Sequence, residues 1–143
     1  MSKGNTFEND LMKLIFTAVA IANLADNAAS SPLTNLYVSL HTGDPGEGGD
    51  QTTNEADYTG YARVAVARTA GAWTVTNNVA VNAATVTFGL CTAGSNTITH
   101  CAVGTSISGA GKLLYSGALA APLNVSNGIT PSFGAGVLSV SED

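Results

Sequence analysis

The sequence predicts a mainly β protein: an antiparallel β-sandwich, jelly-roll-like, with one N-terminal α-helix. Apolar residues recur at helical spacing only ahead of Asn27, and from Asn35 onward the period changes to two. The later segments are short, rich in Val, Thr, Ile and aromatics, and punctuated by Gly, Asn, Ser and Pro. No helix-period stretch separates them, which excludes a parallel α/β architecture.

The helix opens at Asn5, whose side chain can cap it while Glu8 reaches back as in a capping box. Phe7, Leu11, Leu14, Ile15, Ala18, Val19 and Ala22 form an apolar stripe, and the helix is expected to fade at Asp26-Asn27. The run Ala28-Ala29-Ser30-Ser31-Pro32 reads as a linker, so residues 1–32 are helix plus linker and residues 33–143 one folded β-sandwich domain. Two destinations are open to the stripe: it covers one mouth of the sandwich, or it docks on another subunit.

In the first expected strand Leu36, Val38 and Leu40 alternate with Tyr37, Ser39 and His41; in the second Ala62, Val64 and Val66 alternate with Tyr61, Arg63 and Ala65. Further strands are expected over 72–76, 85–90, 97–103, 112–118, 123–126 and 136–141, about eight in all. Asn77-Asn78, Gly94-Ser95-Asn96, Ser108-Gly109-Ala110-Gly111 and Ser126-Asn127-Gly128 supply the turns between them. Trp73, Phe88, Tyr115 and Phe133 are the expected bulky core residues, packed thinly over Ala and Val.

A chain of 143 residues suits one domain with its own core. Charged residues are only 10% of it, against about a quarter in an average soluble domain. With a net charge of -5 it lacks the basic field that non-specific DNA or RNA binding requires. The apolar stretch from Leu11 to Leu24 is broken by Lys13, Thr17 and Asn23, a poor signal peptide and too short for a membrane span. A soluble protein made in the cytoplasm, without nucleic-acid or membrane partners, is the expectation.

The longest connection is also the most acidic: Asp44, Glu47, Asp50, Glu55 and Asp57 are five of the ten acids. Carboxylates on a glycine-rich loop could wrap a hard cation, but the spacing does not fit an EF-hand, and a solvated loop or an arm to a neighbouring subunit fits better. No metal or cofactor is expected. His41 and His100 lie in strands, no acid follows Asp57 in a predicted strand, and no GxSxG elbow occurs, so catalysis by a triad is not expected. Cys91 and Cys101, ten apart, have no metal or redox spacing and are expected as free, mostly buried thiols. Arg63 and Arg68 point to opposite faces of one strand; the expected pairing with the acidic loop is a surface ion pair of small worth.

The stretch Asn35-Leu36-Tyr37-Val38-Ser39-Leu40-His41-Thr42-Gly43-Asp44-Pro45-Gly46-Glu47, followed by Tyr58-Thr59-Gly60-Tyr61-Ala62-Arg63-Val64-Ala65-Val66, resembles a family of small virion structural proteins of tailed bacteriophages. The leading helix and its linker are similar too, and the resemblance weakens towards the C-terminus. It implies a virion component, assembled in the host cytoplasm, and carries no catalytic residues.

The leading expectation is a capsid decoration or cement protein, a homo-oligomer that binds the major capsid protein or other virion proteins. Its candidate intersubunit contacts are Phe7, Leu11, Leu14, Asp44, Glu47, Asp50, Tyr58, Tyr61 and Arg63. The alternative in the same class is a tail-fibre or tail-associated subunit. A more distant one is a glycan-binding module stacking sugars on Tyr37, Tyr58, Tyr61 or Trp73.

Overall fold

The computed structural model describes residues 5–21 and 32–142. It is mainly β with antiparallel sheets and one N-terminal helix, α1 (Asn5–Thr17). The strands are β1 (Asn35–His41), β2 (Val64–Ala67), β3 (Trp73–Thr76), β4 (Val79–Asn82), β5 (Val86–Thr87), β6 (Ser95–Gly104), β7 (Leu113–Ser126), β8 (Ser132–Phe133) and β9 (Ser139–Ser141). They form a four-stranded sheet ordered β2-β1-β6-β7, a three-stranded sheet ordered β3-β4-β9 and the two-stranded pair β5-β8. Two compact units result: Met1–Asn35, Ala67–Val86 and Phe133–Asp143 make one, Leu36–Val66 and Thr87–Ser132 the other.

In the first unit α1 packs against β3 and β4. Met12 and Phe16, one turn apart, are its fully buried side chains, and Phe16 meets Trp73 edge-on at 4.7 Å between ring centroids. The buried stripe is therefore rotated from the expected one: Phe7 and Val19 are exposed, and Leu11 and Leu14 half-buried. Apolar residues lie almost all round this helix, so periodicity alone did not say which of two overlapping stripes would meet the indole.

The helix also ends earlier than expected. Ala18 turns left-handed (φ 56°), and the Thr17 hydroxyl donates back to the Lys13 carbonyl at 2.7 Å. Arg68 supplies the C-terminal cap. Its guanidinium donates to the carbonyls of Leu14 (2.6 Å), Ile15 (2.7 Å) and Leu33 (2.7 Å). A cation placed on carbonyls without intrahelical partners satisfies them and complements the negative end of the helix dipole. Alanine at positions 18, 20 and 22 gives no sign of this stop, because the capping group comes from 50 residues downstream.

Asn82, buried at the end of β4, fastens the C-terminal segment. Its amide donates to Ala84 O and Gly134 O, both at 2.8 Å, and its carbonyl accepts from Leu138 N at 2.9 Å. Asn78 and Glu142 exchange two further bonds, seating β9 on β4.

In the second unit β1, β6 and β7 form a continuous antiparallel ladder, with Tyr37 opposite Gly104, His41 opposite His100, and His100 opposite Ala118. Three departures from the expected strands have local causes. β4 is a four-residue strand that directly follows the Asn77-Asn78 turn, and β8 has only two residues. The stretches expected at 112–118 and 123–126 are one strand, β7, because a proline is tolerated on an edge and a register shift opposite Thr99 absorbs the extra residues. Of the expected bulky core residues, Trp73 and Phe88 are buried, Tyr115 and Phe133 only partly, and Tyr58 and Phe16 join them.

Replacing Arg68 by Leu leaves partly buried helix-end carbonyls without donors. We expect a loss on the order of 1–3 kcal/mol in chemical denaturation followed by far-UV circular dichroism, with Arg68→Lys recovering only part of it because one ammonium cannot span three carbonyls.

Candidate functional site

The acidic connection between β1 and β2 has an inner and an outer part. After His41 the chain leaves the sheet, reverses through Gly43–Gly49 and returns alongside β1: Thr42 N donates to Asn54 O (2.7 Å) and Ala56 N to Leu40 O (2.9 Å). This return places Glu55 beside Arg63. The two form a fork-to-fork pair, Nε to Oε1 at 2.6 Å and Nη2 to Oε2 at 2.7 Å, with the Arg63 side chain only 2% exposed. Arg63 Nη1 donates to Ser106 O at 3.0 Å. Tyr61 donates its hydroxyl to Glu55 Oε1 at 2.9 Å and accepts from Leu40 N at 3.1 Å.

Gln51, fully buried, extends the network to the β6–β7 hairpin. Its carbonyl oxygen accepts from Ser106 N (2.9 Å), its amide donates to Ser106 O (3.3 Å), and its own N–H donates to Ala110 O (2.9 Å). A Cβ at Gly104 or at Gly111 (φ 53°) would collide with the Gln51 side chain, which is why glycine stands at both. Hydrogen bonding to Glu55 raises the Arg63 guanidinium, and burial raises the Tyr61 phenol. Both therefore keep their protons across the accessible pH range.

The outer part is turn-forming and solvated. Asp44 accepts from Gly46 N (2.9 Å), and Asp50 accepts from the hydroxyl (2.6 Å) and N–H (2.8 Å) of Thr52, which lower its carboxyl below the usual range. Asp44 and Glu47 are exposed. Together with Gly46, His100 and Leu113–Ala118 they line an open groove of about 630 Å³. Among the described residues no cluster of three or more His, Cys, Asp or Glu side chains could hold a metal ion.

The structure thus separates the candidate residues. Arg63 and Tyr58 are buried and Tyr61 half-buried; Tyr58 donates to Gly89 O (3.1 Å) and meets Tyr61 edge-on at 5.4 Å. The Arg63 pair is with the acidic loop, as expected, but it is interior and not on the surface: the side chains of Arg63 and Glu55 are 2% and 15% exposed, and the Ser106 carbonyl takes a further guanidinium N–H. Asp44 and Glu47 reach solvent, Asp50 is half-buried, and Phe7, Leu11 and Leu14 lie on α1 in the other unit.

Two buried features carry little signal in the sequence. Gln51 had no signal beyond its place among acids. The second is a contact between Ser39 and His41, which share a face of β1: Ser39 Oγ lies 2.8 Å from His41 Nε2, and His41 Nδ1 lies 2.8 Å from Thr53 O. The carbonyl can only accept, so Nδ1 carries the proton and Nε2 accepts from serine. A hydroxyl on an imidazole resembles a nucleophile and its base, yet both side chains are 0% exposed, and no substrate carbonyl reaches them. The pair is a structural clasp. The other half-site residues follow the same logic: the thiols of Cys91 and Cys101 are free, Cys91 is buried, and burial pushes the Cys101 thiol up, away from a reactive thiolate. Among the described residues no helix is long and apolar enough to cross a membrane.

Two outcomes test this geometry. Removing one partner of the ion pair, by Arg63→Met or Glu55→Gln, strands the other, and we expect a loss of about 3–5 kcal/mol on denaturation; the double variant should lose less than the sum, as a double-mutant cycle would show. Burial also lowers the His41 pKa from its ordinary 6.5. The unfolded chain therefore binds this proton first, so the His41 contribution is present above pH 6.5 and is lost as pH falls below it. Melting temperatures between neutral pH and pH 5 should fall for the native chain and flatten in His41→Gln.

Residues 3–141 match the family described as Gp80, podophage GP4 fiber I protein gp80. No curated protein matches the chain. The match spans nearly the whole chain, which therefore belongs to this family and is a bacteriophage virion structural protein.

Proposed function

We propose that this member of the Gp80 family is a structural subunit of a podophage tail fibre or its attachment, a non-enzymatic part that works by contact with other virion proteins. The observation that carries the reading is the family match over residues 3–141 with a fibre protein. It favours the tail-fibre alternative over capsid decoration, the leading expectation from sequence. The chemistry of the site agrees: the Ser39–His41 contact is sealed, and the half-buried Glu55 is committed to an arginine. What the surface offers is a solvated acidic turn at Asp44 and Glu47 and uncovered apolar side chains such as Phe7. Surfaces of that kind suit docking more than turnover.

Counting copies of the chain against the major capsid protein in purified particles, by quantitative mass spectrometry with antibody-gold labelling, tests this reading. A small number per particle, with gold confined to the tail, is expected. A ratio near one, or a simple fraction of it, with gold over the head would overturn it in favour of decoration.

A further inference from the structure

We propose that the edge of β7 over Leu113–Ala118 is a self-association surface, where the same segment of a second copy adds antiparallel and continues the sheet. The proposal rests on the sheet edge and the charges at its two ends, so it stands or falls independently of the chain's position in the virion.

β7 is the last strand in the order β2-β1-β6-β7, and among the described residues no strand is paired on its outer side. Over Leu113–Ala118 it contains no charged residue and no proline, whereas natural edge strands are commonly short or protected by inward charges or proline; the proline of this 14-residue strand, Pro122, stands outside that segment. Ser116, Gly117 and Ala118 are exposed. A long neutral edge is the place where a chain of net charge -5 meets its own copy with least repulsion.

Charge placement selects a second copy and sets its direction. The ladder registers Tyr37 with Gly104 and Gly104 with Leu113 at one end, and His41 with His100 and His100 with Ala118 at the other. The turn bearing Asp44 and Glu47 follows His41, so both acids stand at the Ala118 end, where they line the groove along Leu113–Ala118. Lys112, exposed, stands at the opposite end of the same segment. An antiparallel neighbour reverses the ends and brings each copy's Lys112 to the other's Asp44 and Glu47. Such a pairing is isologous: one two-fold axis satisfies both ion pairs and about 20 Å of ladder at once. A parallel neighbour would set lysine against lysine.

Sedimentation velocity on the full chain, at the concentration where the native protein is half associated, tests the proposal. We expect reversible dimers, and we expect Ser116→Lys, which puts like charges near the two-fold axis, to sediment as monomer with an unchanged melting temperature. Lys112→Glu should also dissociate the dimer, and adding Asp44→Lys and Glu47→Lys to it should restore association. Should Ser116→Lys fail to fold, the exposed Lys112 series remains decisive. A native chain that stays monomeric at every accessible concentration would overturn the proposal. So would a dimer unmoved by Ser116→Lys or Lys112→Glu, or a triple variant that stays dissociated.

Discussion

The fork between Arg63 and Glu55 is the constraint on which the second unit depends. An ion pair taken out of water contributes little net stability by itself, since desolvation offsets most of the attraction. Its value here is in specification. Once Arg63 is inside, Glu55 must stand opposite it, Tyr61 must bridge Glu55 to the backbone of β1, and the Ser106 carbonyl must take a further guanidinium N–H. These groups come from β1, the returning loop through Arg63 and the β6–β7 hairpin, and leaving any one unpaired in the interior would cost more than the pair contributes.

That interior network divides the labour of a loop whose composition looks uniform. Glu55 and Asp57 are used internally, the latter by Asn96, whose side chain it accepts from at 2.9 Å. Gln51, although neutral, is the more deeply buried anchor, and it fixes the β6–β7 hairpin from below. The outer acids, Asp44 and Glu47, are left facing water on a turn held rigid from behind. A charged group on a fixed base is better suited to recognition than one on a flexible arm, because less freedom is lost on contact.

The unit containing α1 solves a similar problem with other means. There the irreplaceable groups are side chains that satisfy backbone: Arg68 over the helix carbonyls and Asn82 between β4 and the C-terminal segment. A protein with so few charges places two of its five basic residues, Arg63 and Arg68, in internal hydrogen-bonding roles, each on several acceptor oxygens. With charged residues only 10% of the chain, few charges remain outside these networks.

How much of this was legible depended on whether the signal was local. The mainly β class, the single N-terminal helix, the run of β1 and the hairpin turn at Gly109-Ala110-Gly111 follow from periodicity and turn chemistry, which neighbouring residues impose on one another. The two quoted motif stretches pointed to a phage virion protein for the same reason: they are contiguous. The site was only partly readable. The acids and Arg63 stood out by type, yet the burial of Arg63 and the role of Gln51 did not, because both require the distant hairpin residue Ser106, and the clasp of Ser39 on His41, local to β1, depends on Thr53 to fix the imidazole. The end of α1 is decided by Arg68, the continuity of β7 across Pro122 by its place on an edge, and the inward turn of Arg63 by Glu55 and Ser106. Sequence set the elements through local preference; the tertiary structure alone chose which faces are covered and which charges are paired, since desolvation acts on groups only once the chain has brought them together.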